Sequence, residues 1–225
     1  MTDQLIAEPV LTGASPPQMT YEEYLALPSE GPLVEWVNGE VIYHMPPLTI
    51  HPRIAGFCYA LLKAHVDLIG LGEVIVSPFE MKCRPDGNSR EPDVLFVSTE
   101  HLGRITEKRL EGPADLVIEI VSDDSVARDL DEKFIEYQEC GVQEYWIIDP
   151  RPRRKRALFY QRGEDGLFEG VKAEGGVYRS RAVPGFWLKV EWLWDQPDSF
   201  AAFAEVAGLS EQTLRELRER RTGMV

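Results

Sequence analysis

One short stretch constrains this chain more than any other. From Asp115 to Val121 it reads Leu116-Val117-Ile118, then Glu119, then Ile120-Val121, so apolar residues fall on both alternating faces. That is the pattern of a central strand covered on both sides, and it places the chain in the α/β class. Within the run Glu119 is an anomaly, because an ionised carboxylate there costs several kcal/mol unless a cation or a set of donors compensates it. The sequence therefore predicts a positive group facing Glu119.

The neighbouring elements follow from spacing. Thr20 and Glu23 form a capping box for a short helix that Pro28 ends, and Asn38-Gly39 between Leu33–Val37 and Glu40–Tyr43 predicts a β-hairpin. From His51 to Ile69 the residues Ile54, Phe57, Cys58, Leu61, Leu62, Leu68 and Ile69 form the stripe of an amphipathic helix, stopped by Gly70. Segments 73–83 and 92–98 read as an antiparallel pair joined by a polar loop, and 99–113 as a connection with a helical turn. A helix at about 126–139 buries Leu130, Phe134 and Tyr137 and ends at Gly141, and Tyr145–Ile148 is a second buried strand. Peripheral strands near 157–162 and 186–193 and a C-terminal helix from Ser210 complete the chain. The order from residue 51 onward is helix, three strands, helix, strand. We expect an arm over 1–18, one domain over 19–195 and a helical extension over 196–225.

With 44% hydrophobic and 28% charged residues the composition is that of a packed globular protein and excludes global disorder. No apolar stretch approaches the roughly 20 residues that span a bilayer, so no membrane is expected as a partner. The N-terminus lacks a secretory pattern, and a cytoplasmic location is expected. Cys58, Cys83 and Cys140 are odd in number and widely spaced, which predicts reduced packing residues. The net charge of −14 opposes non-specific attraction to nucleic acid. Against it stand Arg151, Arg153, Arg154, Lys155 and Arg156, a basic turn without an acid, which reads either as a solvated loop or as a phosphate contact. Nucleotide-binding and serine-hydrolase readings fail for want of a Gly-rich strand-to-helix turn or a G-x-S-x-G elbow.

Asp93 shares a strand face with Leu95 and Val97, and Glu119 shares one with Val117 and Val121. If these strands are neighbours, Asp93, Glu119 and the Ile120 carbonyl converge into an all-oxygen site for a hard cation, Mg²⁺ or Mn²⁺. The alternative is that Glu119 pairs with a buried Arg or Lys while Asp93 merely ends a turn after Pro92.

Several stretches resemble the Uma family (Uma-two) of the PD-(D/E)xK, restriction-endonuclease-like superfamily. They are Met19–Tyr24, Val34–Glu40, Pro92-Asp93-Val94, Leu116–Ser122, Asp129–Lys133 and Gly141–Asp149, and the likeness spans about 19–195. The resemblance implies a mixed-sheet helix-β-β-β-helix-β core with an added N-terminal hairpin and C-terminal strands and helix. It also implies metal-dependent hydrolysis of DNA phosphodiester bonds.

In one respect the chain departs from the superfamily pattern: the lysine expected two residues after the acid falls at Val121. The resemblance points to Lys133 as a migrated replacement, reaching back from the helix towards Glu119. The other reading makes Lys133 half of a surface pair with Asp129, four residues earlier, and Lys82 is the reserve lysine. Glu35 matches an acidic position of the family, and His51, opening the inward stripe of its helix, can face substrate phosphate. Activity on duplex DNA is compatible with a homodimer. The competing reading is a catalytically inactive nuclease fold that binds nucleic acid or regulates.

Overall fold

The computed structural model describes residues 18–27, 34–43, 49–122, 125–126 and 128–222; the expected arm up to residue 17 and Pro28 lie outside these. The chain opens with α1 (Tyr21–Leu25), the hairpin β1 (Val34–Val37) and β2 (Glu40–Tyr43), and the long helix α2 (Ile50–Ile69). Next come β3 (Gly72–Val76), β4 (Glu80–Lys82), β5 (Ser89–Arg90), β6 (Val94–Ser98), β7 (Arg109–Glu111), β8 (Leu116–Ile120), α3 (Lys133–Cys140) and β9 (Glu144–Asp149). The remainder forms β10 (Arg156–Arg162), β11 (Phe168–Val171), β12 (Val177–Arg179), β13 (Trp187–Lys189), α4 (Trp192–Asp195), α5 (Ser199–Val206) and α6 (Glu211–Thr222).

The strand that carries Glu119 is central, as its composition requires. The larger sheet runs β11-β10-β9-β8-β6-β3, and all five residues of β8 are buried. Alternation divides its side chains between two cores. Leu116, Ile118 and Ile120 face α2, together with Ile54, Leu61 and Leu62, whereas Val117 joins Leu95, Tyr145, Ile147 and Tyr137 beneath α3. β8 is antiparallel to β6 and parallel to β9, with Glu119 opposite Ile147. Helix α2 ends where expected, Gly70 taking the left-handed conformation (φ 69°), but its last apolar residues Leu68 and Ile69 are exposed. The inward stripe is therefore complete by Val66, one turn earlier than the composition predicts.

The hairpin turns on Asn38 and Gly39, both at positive φ, and the capping box at Thr20 and Glu23 is formed. The hairpin belongs to a second sheet, β2-β1-β5-β4-β7.

Four expectations are corrected. The segment 73–83 is not one strand: the chain breaks at Ser77-Pro78, so β3 pairs with β6 in the large sheet while β4 joins the hairpin sheet. The connection 99–113 contains a 3₁₀ helix (Thr99–Arg104), as expected, and also a strand, β7, which pairs with β4. The expected strand 186–193 is shorter, because Glu191 caps α4. Finally, Cys83 and Cys140 form a disulfide, and only Cys58 is the buried free thiol expected of all three. A separation of 57 residues hides this pairing from the sequence; it follows only once α3 ends beside the loop after β4.

Candidate active site

The site is built where β6 begins, β8 ends and α3 starts. Glu119 lies on the α3 side of its strand, and the positive group demanded by its burial is Lys133. The ammonium Nζ donates to Glu119 Oε1 at 2.9 Å, and the Tyr137 hydroxyl donates to the same oxygen at 2.7 Å. Tyr137 follows Lys133 by four residues on α3, so one helix face supplies both donors.

The first turn of this helix is not α-helical. Arg128–Glu132 form a π turn, and α3 proper begins at Lys133. Asp129, on that turn and four residues before Lys133, lies beneath it, with Oδ1 3.4 Å from Nζ. The sequence offers Asp129 and Lys133 as a surface pair. The structure makes them a pair but buries both, at 1% and 2% exposure, because this turn faces the sheet. Ser125 donates a short hydrogen bond to Asp129 Oδ2, and the Tyr145 hydroxyl donates to the Asp129 carbonyl at 2.9 Å.

Glu35 comes from the hairpin sheet and is wholly buried. Its Oε1 lies 3.2 Å from Lys133 Nζ and accepts the Glu91 N–H at 3.1 Å, while Oε2 lies 3.1 Å from Arg90 Nη1. Arg90, itself 2% exposed, donates from Nε and Nη2 to the two oxygens of Glu136 on α3. A chain of charges thus ties β1 to β5 and β5 to the helix that carries Lys133. Asp93, one residue before β6, accepts the Ile120 N–H on Oδ2 at 2.7 Å, and His51 Nε2 lies 3.2 Å from the same oxygen. All five candidates, Glu35, His51, Asp93, Glu119 and Lys133, therefore belong to one connected region. Asp129, expected only as a surface partner, Tyr137, expected only as core, and Arg90, not singled out by the sequence, join it. Lys82 does not: its ammonium sits 3.5 Å from the Tyr21 ring centroid and 4.7 Å from that of Trp36, and donates to the Gly87 carbonyl.

The electrostatics show a surplus of negative charge. Three buried carboxylates, Glu35, Glu119 and Asp129, converge on one ammonium. Burial pushes the Glu119 carboxyl up to about 8, with Lys133 opposing and Asp129, Asp93 and Glu35 adding to the rise. Burial likewise raises Asp129, and it lifts Glu91 to about 7 beside Glu35 and Glu80. Burial disfavours the charge on Lys133, but the three carboxylates outweigh it and keep the ammonium protonated. His51 shows the same balance, its burial penalty exceeded by Asp93, with Asp129 and the Ile120 carbonyl assisting. Two buried oxygens, Asp129 Oδ1 and Glu91 Oε2, make no hydrogen bond among the described residues. Oxygen donors with an excess of buried anionic charge suit a hard divalent cation. Among the described residues no group of three or more His, Cys, Asp or Glu side chains is arranged as a metal site. A cation here would therefore take two carboxylates and complete its shell with backbone or solvent oxygen.

The profile of a family described as "Putative restriction endonuclease" matches residues 21–191, most of the chain and every residue of this site. The chain belongs to the Uma2 family. No curated protein matches this Uma2 sequence. Among solved structures, the crystal structure of a putative nuclease belonging to DUF820, from Anabaena variabilis, superposes with a TM-score of 0.64 at 19% identity, covering 79% of this chain and 98% of that one. The likeness establishes for this Uma2 chain the restriction-endonuclease-like α/β fold, with its helix-β-β-β-helix-β core formed by α2, β3, β6, β8, α3 and β9. No helix among the described residues is long and apolar enough to cross a membrane.

Proposed function

We propose that this Uma2 protein is a Mg²⁺- or Mn²⁺-dependent endonuclease that hydrolyses DNA phosphodiester bonds. The observation that carries the reading is the buried contact of Lys133 with Glu119, which supplies from α3 the lysine absent at position 121. Asp93, Glu119 and the Ile120 carbonyl would hold the cation. When bound, the ion supplies Lewis-acid stabilisation of charge on the phosphoryl group.

The chain's own residues do the rest. Lys133 and Tyr137 both act on Glu119 Oε1, which fixes the carboxylate so that Oε2, touched by neither donor, is presented in one direction. Both contacts of Asp93 run to Oδ2, which holds its Oδ1 in the same manner. The Lys133 ammonium is a fixed positive charge where negative charge develops on the phosphate, and a preorganised charge in a dry site is worth several kcal/mol of barrier. Glu35 and Asp129 orient that ammonium instead of contacting substrate. His51, whose Nε2 lies 3.2 Å from Asp93 Oδ2, would act at the phosphate as a charge partner or as proton donor to the leaving oxygen.

The test is incubation of the purified protein with plasmid and single-stranded DNA in Mg²⁺, Mn²⁺ or EDTA. Metal-dependent cutting that Glu119→Gln abolishes is expected. Binding without cutting in either metal would replace the enzyme by a nucleic-acid-binding module on the same scaffold.

A further inference from the structure

The basic turn after β9 is left unused by this chemistry, yet its position is specific. β9 runs parallel to β8, with Ile120 opposite Ile148, and the Val121 N–H donates to the Ile148 carbonyl at 2.8 Å. The chain therefore leaves β9 at Asp149 on the sheet end where Glu119 and Asp93 lie. Alternation puts Asp149 on the face of Tyr145 and Ile147, which is also the face of Glu119.

Asp149 braces the turn. It is fully buried, Arg151 donates to its two oxygens at 2.8 and 2.9 Å, and Arg156, its cross-strand partner, lies 3.7 Å away on the returning leg. Arg153 is held at φ 69°, a left-handed conformation that a non-glycine residue keeps only where its surroundings over-determine it. Lys155 lies 5.2 Å from the Trp194 ring centroid. Two of the five cations thus form a scaffold, while Arg153 and Arg154 stand exposed at its tip with no carboxylate paired to either among the described residues. A solvated loop requires none of this bracing.

We infer that the 151–156 turn is a DNA-docking element: Arg153 and Arg154 take backbone phosphates of a duplex and hold it against the Glu119 end of the sheet. This rests on the nuclease reading and names the surface through which an acidic protein gains its polyanionic substrate. With a net charge of −14 the rest of the surface repels DNA, so affinity must come from a local contact of this kind.

The experiment is fluorescence anisotropy of the full chain with a labelled DNA duplex in EDTA, over about 50–300 mM KCl, beside the cleavage assay in Mg²⁺. Arg153→Gln with Arg154→Gln should weaken binding about tenfold at low salt and lower the log–log salt slope by about 1.8, the release expected for two phosphates. It should raise the KM for cleavage and leave kcat and thermal stability unchanged. The control, Lys108→Gln with Lys172→Gln, removes the same charge from exposed sites elsewhere and should leave the slope unaltered. Equal slopes for wild type and the arginine double variant, or equal losses in both double variants, overturn the docking role while wild-type cleavage keeps the nuclease reading. A wild-type chain that neither binds nor cuts DNA overturns both.

Discussion

Asp129 and Lys133 face each other at 3.4 Å inside the protein, both almost wholly buried, although four-residue spacing in a charged segment would ordinarily leave such a pair on the surface. Because Lys133 also touches Glu119 and Glu35, the ammonium is the one positive group shared by three buried acids.

Lys133→Met should therefore do two things. DNA cleavage should fall at least about 100-fold, the loss typical of removing one preorganised charge, and stability should drop by about 3–5 kcal/mol because Glu119 and Asp129 lose their counter-charge while Glu35 keeps that of Arg90. Asp129→Asn should also impair cleavage, since Asp129 orients the lysine. Lys82→Met, which removes the aromatic contacts with Tyr21 and Trp36 and the hydrogen bond to the Gly87 carbonyl but touches no residue of the site, should cut DNA normally. A Lys133 variant with wild-type rates, measured alongside denaturant unfolding, would remove the lysine from the mechanism.

Metal binding can be read without activity. Isothermal titration with Mn²⁺ should show one site per chain in the wild type and none in Asp93→Asn or Glu119→Gln, because two carboxylates are too few to lose one. Saturating Mn²⁺ should also raise the Tm, as any ligand selective for the folded state does. Retention of affinity in both variants would move the cation elsewhere.

The brace on the basic turn gives a pH dependence. The Asp149 carboxyl lies below its ordinary range: burial opposes this, but the hydrogen bonds and charge of Arg151, with Arg156, prevail. A depressed carboxylate contributes stability that is present above the unfolded value near 3.8 and is lost as pH falls through the folded one. Asp149→Asn should cost about 2 kcal/mol at pH 7, the worth of a charge-assisted hydrogen bond, and the difference from wild type should shrink below pH 3.8. Urea unfolding at pH 7 and pH 3 reads this directly; a deficit equal at both values would show that the carboxylate's charge is irrelevant.

The Cys83–Cys140 bridge closes a 57-residue segment. Loop entropy makes it worth about 4 kcal/mol, so Cys83→Ser or full reduction should lower the Tm by several degrees. Thiol titration of the native protein should find none reactive, with Cys58 buried. Two reactive thiols and an unchanged Tm would count against the bridge.

How much of this was legible beforehand depends on the range of the interaction. Glu119 announced its need for a cation because apolar neighbours within its own strand made its burial plain, and the Asn38-Gly39 hairpin and the Gly70 and Gly141 helix ends are equally local. The resemblance to the Uma family supplied Lys133 and Glu35. Arg90 gave no signal, since a lone arginine beside Ser89 looks like a solvated loop residue until β5 is seen between β1 and β4. Tyr137 reads as core from its stripe, which is correct for its ring but silent about its hydroxyl. Asp129 is legible as the partner of Lys133 from their four-residue spacing, but its burial is not, because nothing in this charged segment signals that the turn faces the sheet or that its backbone is π-helical.

That last departure bears on how chains of this kind are to be aligned. In an α-helix, residues four apart are offset by about 40° around the axis, and the wider π turn from Arg128 to Glu132 changes that angle, so the acid on the turn and the residues after it do not share one α-helical register. Such a turn amounts to one inserted residue. Relatives that lack the insertion would keep the lysine facing the strand acid only with their own acid displaced by one position. An ungapped comparison would then score the two as unrelated, and matching by direction around the helix axis would recover the correspondence.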